Sequence, residues 1–211
     1  MNNIEETIAH QLLQIKAIKL QPANPFTWAS GWLSPIYCDN RKTLSYPEVR
    51  TYIRDRFADE IRAHFADVEV IAGVATGAIA QGALVADILG KPFIYVRSSP
   101  KGHGLENLVE GKLLPGQKVV VIEDLISTGG SSLKAVEAIR NNGAEVLGMM
   151  AIFSYGFQLA DQQFEEKKVK LRTLSNYKTL IKVAVDTGYV TSEEVETLEQ
   201  WRQNPSQWKK Q

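Results

Sequence analysis

A chain of 211 residues is long enough to bury one substantial core, and 44% hydrophobic with 23% charged residues is an ordinary composition for a folded domain. Lysine plus arginine (24) balance aspartate plus glutamate (24), so no global basic field draws the chain to nucleic acid or an anionic membrane. The lone Cys38 excludes an intrachain disulfide and suits a reducing cytoplasm; the first residues lack a secretory pattern, and no apolar run approaches the roughly 20 residues that span a bilayer. These features predict a soluble cytoplasmic protein in which any bound anion is held by a local site.

In chain order, Ile4, Ile8, Leu12 and Ile15 fall near helical spacing and predict an amphipathic helix over residues 4–18. Residues 21–41, QPANPFTWASGWLSPIYCDNR, carry three prolines and two tryptophans with no helical period, and read as a turn-rich segment with short extended pieces. A helix is expected from Tyr46 to about Phe65, with Pro47 suited to its first turn. The pattern then alternates: strands at 68–73, 92–96, 118–124 and 144–153, and helices at 78–89 and 131–143. Such alternation implies right-handed crossovers and a mostly parallel sheet, and strands apolar on successive residues imply helices on both faces. Residues 97–112 read as a polar loop, and 176–188 and 192–201 as peripheral helices. A single α/β domain is expected, with about 1–45 forming a small amino-terminal hood and about 46–211 the core.

The sequence VVVIEDLISTGG (119–130) runs a buried strand into two acids, two hydroxyls and two glycines. Ligands of open parallel sheets gather beyond the carboxyl ends of the strands, where this stretch lies. The N–H groups of Ser127, Thr128, Gly129 and Gly130 can fan around a phosphate at the mouth of the next helix, with the hydroxyls of Ser127, Thr128 and Ser131 as further donors. Glu123 and Asp124, about a sugar's length away, can accept from the vicinal hydroxyls of a ribose. A plain helix cap accounts for the hydroxyls, but not for the acids and paired glycines in register with them. A second strand end, GVATG, places Thr76 and Gly77 before another helix. In the polar loop, Arg97, Lys101 and His103 carry donors suited to pyrophosphate, against the alternative of a solvated loop with incidental charges.

The 119–130 stretch resembles the phosphoribosyl pyrophosphate signature of type I phosphoribosyltransferases, and VATG (74–77) resembles their short pyrophosphate loop. RSSPKGHG (97–104) resembles the catalytic loop of the orotate-specific members, although Ser98 stands where many carry a second lysine. FTWASGWLSPIYCDNR (26–41) resembles their base-recognition segment, with Ser30, Gly31, Ser34, Pro35 and Tyr37 at the matching positions. Ala29 replaces a common lysine there, and FSYGF (153–157) lacks the arginine that usually meets the orotate carboxylate, which leaves Arg41 as the candidate.

The resemblance implies the type I phosphoribosyltransferase fold and transfer of a phosphoribosyl group from phosphoribosyl pyrophosphate (PRPP) to orotate. It implies PRPP contacts by Arg97, Lys101, His103, Glu123, Asp124, Leu125, Ile126, Ser127, Thr128, Gly129, Gly130, Ser131, Thr76 and Gly77, with Lys101, His103 and Asp124 catalytic. Orotate contacts fall to Tyr37, Cys38, Ser127 and Arg41. Mg²⁺ is the implied cofactor, held mainly by PRPP, and a homodimer with shared active sites is the implied assembly. A purine phosphoribosyltransferase and a non-catalytic PRPP-sensing regulator are the alternatives.

Overall fold

In a computed structural model of the chain, residues 3–28, 31–99 and 108–208 are described. The first helix, α1 (Ile4–Gln14), is capped by the Asn3 side chain, which accepts from the Glu5 N–H. It stops four residues short of the predicted end. Lys16 adopts a left-handed conformation (φ 55°), and the chain turns into strand β1 (Ile18–Leu20). Ile15 and Ile18 continued the helical spacing because both face the same apolar core, one from a turn and one from a strand. The expected extended pieces follow as β2 (Phe26–Thr27), β3 (Leu33–Ser34) and β4 (Ile36–Cys38). They pair antiparallel, β1 with β4 and β2 with β3. A 3₁₀ turn (Asn40–Ser45) leads into α2 (Pro47–His64), with proline in its first turn.

The alternating segments form β5 (Val70–Val74), α3 (Ile79–Leu89), β6 (Phe93–Val96), β7 (Val109–Glu110), β8 (Lys118–Ile126), α4 (Gly130–Asn141) and β9 (Glu145–Ser154). Four elements follow: α5 (Gln158–Glu166), β10 (Leu171–Asn176), α6 (Tyr177–Asp186) and α7 (Ser192–Gln203). The central sheet has the order β10-β9-β8-β5-β6-β7, parallel except for β7. Strand β7 lies inside the span predicted as loop, and α5 and β10 were not predicted.

Because side chains alternate along a strand, β8 feeds two cores. Val120 and Ile122 pack with Ile53, Phe57 and Met150 on one face. Val119 and Val121 pack with Val136, Ile139 and Phe164 on the other. The reading of 176–188 and 192–201 as peripheral is corrected by burial: Leu180, Ala184, Leu198 and Trp201 are wholly inaccessible. The capping box at Thr191 and Glu194 fixes where α7 starts, and so where Trp201 enters the core. Among the described residues no helix is long and apolar enough to cross a membrane.

Candidate active site

Strand β8 runs two residues past its predicted end, carrying Leu125 and Ile126 to the sheet's carboxyl edge. There the chain swings through Ser127, Thr128 and Gly129 into α4. Gly129 has φ 85°, and a Cβ on it would lie 2.8 Å from Cε2 of Phe164 on α5, so glycine is required twice over. No side chain caps α4, and the N–H groups of Ser127, Thr128 and Gly129 bond to no other described residue. Free amides and the positive end of a helix dipole converge on a cavity of about 330 Å³. Its walls include Thr76, Gly77, Glu123, Asp124, Leu125, Ser127, Thr128, Gly129 and Ser131, from two strand ends that the sequence presents separately.

The two acids differ. Glu123 is 5% exposed; its Oε2 accepts from the Ser132 hydroxyl at 2.8 Å and its Oε1 from the Asp124 N–H at 2.9 Å. Burial first, then the charge of Asp124, pushes the Glu123 carboxyl well above its ordinary value of 4.5. The Asp124 carboxylate lies against the second loop: a Cβ on Gly77 would sit 2.3 Å from Oδ2 and 2.7 Å from Oδ1. The Ala75–Thr76 peptide in that loop is cis. Asn40, a residue the sequence gave no reason to select, is 1% exposed; its Nδ2 donates to the Asp124 carbonyl at 2.6 Å and its Oδ1 accepts from Cys38 Sγ at 3.3 Å. It joins the amino-terminal strands to the end of β8.

A second cavity, of about 380 Å³, adjoins the first through their shared Leu125 and Ser127. Its other walls are Thr27, Trp28, Tyr37, Cys38 and Tyr155. The Trp28 and Tyr155 rings lie 5.5 Å apart, and Tyr37 packs on Phe26 at 5.6 Å. Trp28 is anchored by its indole N–H, which donates to the Ile36 carbonyl at 3.1 Å. Burial, then Asp124, raises the Cys38 thiol well above its ordinary 9.0, so it faces the cavity protonated. The result is an aromatic slot, lined by Trp28, Tyr37 and Tyr155 with small polar groups, that shares its Leu125 and Ser127 walls with the first cavity.

The remaining predicted residues lie as follows. Arg97 ion-pairs with Glu110 of β7 at 3.5 Å and, with Gly130 and Ser131, borders a third cavity of about 470 Å³ that shares Val74, Ala75 and Ser131 with the first. Ile126 is fully buried in the core. Arg41 is held by Asp39 at 2.7 Å and is not among the residues lining the aromatic slot. Ser30, Lys101 and His103 lie outside the described residues. Among the described residues no group of three or more His, Cys, Asp or Glu side chains converges as a metal site.

A parallel sheet with free amides at an uncapped helix start beside two acids, adjoined by an aromatic cavity, suits an enzyme that handles phosphorylated sugars. Residues 43–189 match the phosphoribosyl transferase domain family. The chain is 65% identical to an orotate phosphoribosyltransferase of Porphyromonas gingivalis over 99% of both chains, and 62% identical to one of Bacteroides fragilis over 99% of this chain and 98% of that one. The crystal structure of the Aeropyrum pernix orotate phosphoribosyltransferase superposes with a TM-score of 0.76 at 29% identity, covering 87% of this chain and 99% of that one. The chain belongs to the orotate phosphoribosyltransferases within the phosphoribosyltransferase family.

Proposed function

We propose that the protein transfers the phosphoribosyl group of PRPP to N1 of orotate, giving orotidine 5′-monophosphate and pyrophosphate in UMP synthesis. The observation that carries this reading is the pair of adjoining cavities: free amides and a helix start for the 5′-phosphate, and an aromatic slot for a planar base, meeting at Leu125 and Ser127. With the phosphate in one and the base in the other, the ribose C1′ falls between them, beside Asp124.

In the reaction the C1′–O bond to pyrophosphate breaks and takes its electron pair with the leaving group. The orotate N1 lone pair then forms the new C1′–N bond, and the proton that N1 carried passes to water or to the departed pyrophosphate. Positive charge develops on the ribose during transfer, so the protein's contribution is positioning and electrostatics rather than covalent chemistry. The Asp124 carboxylate lines the cavity and supports that charge while accepting from a ribose hydroxyl. Glu123, its oxygens already engaged by Ser132 and the Asp124 N–H, holds the end of β8 in place and presents its remaining lone pairs to the sugar. Arg97, Lys101 and His103 meet pyrophosphate; for Arg97 that requires exchanging Glu110 for the ligand. Tyr37, Cys38 and Ser127 surround the base, and residues 1–45 act as its hood.

Mg²⁺ fits this donor set. One partly exposed carboxylate, Asp124, borders the phosphate cavity, as suits a hard cation that keeps its waters and phosphate ligands. Asp124 would hold Mg²⁺ there, and the ion would neutralise charge on the pyrophosphate. The reading includes a cytoplasmic homodimer with shared sites. A purine acceptor is disfavoured by the two high-identity relatives, both orotate enzymes. A regulatory role is disfavoured because both cavities keep their polar groups.

The test is to mix protein, PRPP and Mg²⁺ with orotate, adenine, guanine or hypoxanthine, and to follow orotate absorbance and pyrophosphate. Orotate loss matched one to one by pyrophosphate is expected, with none from the purines. Turnover of a purine and none of orotate would overturn the assignment. In the same assay, Asp124→Asn is expected to lose about a hundredfold or more in kcat while its circular dichroism and melting temperature stay near wild type.

A further inference from the structure

The two walls of the aromatic slot come from distant parts of the sequence, Trp28 from the amino-terminal strands and Tyr155 from the end of β9. What holds them together comes from neither part. Trp201 on α7, wholly buried, packs edge-on against both rings, 5.6 Å from Trp28 and 5.7 Å from Tyr155. The next residue, Arg202, grips the backbone behind Tyr155: its Nε donates to the Tyr155 carbonyl at 3.2 Å and its Nη2 to the Gly156 carbonyl at 2.9 Å. The guanidinium also lies 5.9 Å over the Tyr177 ring. A planar fork of donors on consecutive carbonyls fixes both the position and the tilt of that peptide. Neither Trp201 nor Arg202 lines either cavity.

We infer that the carboxy-terminal helix is the rear support of the base slot and that Arg202 is a positioning residue for base binding, acting through the 155–156 backbone. The inference rests on the proposed reading of the slot as the base site. The phosphate cradle stands on β8 and α4, and Arg202 bonds to neither; the Tyr155 N–H donates to the Ile126 carbonyl at 3.1 Å, but the end of β8 is held independently by its pairing with β9, Leu125 with Phe153 and Ile126 with Ser154. Loss of the guanidinium therefore changes base affinity and spares the donor.

The experiment compares wild type, Arg202→Met and Arg202→Lys. Met keeps much of the length and loses every donor, whereas Lys keeps a cation able to reach one carbonyl. KM for orotate is measured at saturating PRPP, and PRPP affinity by calorimetry without base. The expected result is a rise in orotate KM of roughly tenfold to a hundredfold in Arg202→Met, about the scale of an ångström's misplacement. Arg202→Lys falls in between, and PRPP affinity stays within about twofold of wild type in both. An orotate KM within about twofold of wild type in Arg202→Met, or equal weakening of both substrates, would overturn the inference. Should Arg202→Met fail to fold, Trp201→Phe, which withdraws the support common to Trp28 and Tyr155, is read by the same two constants and the same limits. Wild-type protein that accepted another base and not orotate would sink the substrate reading alone, and the same comparison made with that base would still decide the role of Arg202.

Discussion

Two adjacent carboxylates in one strand end have been given opposite environments, and their variants should separate accordingly. Glu123 is buried with its pKa raised above 4.5, so between that value and its native pKa the folded protein holds a proton the unfolded chain has lost. Wild-type stability therefore falls, relative to a Glu123→Gln variant, as pH rises through that interval. Gln can still accept from the Asp124 N–H and can donate to Ser132. Glu123→Gln is expected to be more stable than wild type at pH 8, with the difference shrinking as pH falls toward 4.5, as urea unfolding at a series of pH values would read. Equal stability at both ends of the series would mean that the carboxylate carries no burial penalty. At Gly77 the reverse separation is expected. A methyl there first meets the Asp124 carboxyl group, Cγ at 2.4 Å included, so Gly77→Ala should swing that carboxylate aside, lowering kcat about tenfold or more with little change in melting temperature.

At the scale of elements, the phosphate loop depends on α5 as much as on its own residues. Gly129→Ala combines a left-handed φ with contact against Phe164, and is expected to destabilise by about 1–3 kcal/mol. Gly130→Ala, where an added Cβ meets nothing in the first turn of α4, is expected to be neutral or slightly stabilising by thermal melting. The strands and helices from 68 to 153, apart from the two-residue β7, were legible because their periods are unmixed and the turns between them carry glycine or polar breaks. Residues 15–18 were not, since no glycine or proline marks the turn at Lys16. Helix α5 shows only Ala160 and Phe164 as a buried pair four residues apart, too weak a stripe to stand out in QLADQQFEE. The convergence of amides and acids at the end of β8 was legible because those groups lie in consecutive residues. Asn40, Tyr155 and Arg202 were not, because their roles come from partners far along the chain.

Over the whole molecule, α7 closes back on the amino-terminal strands, so the last helix and the first strands share one core. That core makes the base slot a property of the whole chain rather than of the 43–189 span. The proposed dimer with shared sites has a distinct signature. Mixing Lys101→Ala with Asp124→Asn subunits through a cycle of unfolding and refolding is expected to restore about a quarter of wild-type activity, since half the dimers become mixed and each holds one intact site. Subunits that each complete their own site would restore none.

The central claim is that the amides beyond β8 hold the donor's 5′-phosphate. A crystal structure of the protein soaked with PRPP and Mg²⁺ tests it most directly. The account predicts that phosphate within hydrogen-bond distance of the Thr128, Gly129 and Gly130 N–H groups, with a ribose hydroxyl on Asp124. Donor density at another site, with those amides turned to partners within the chain, would contradict it.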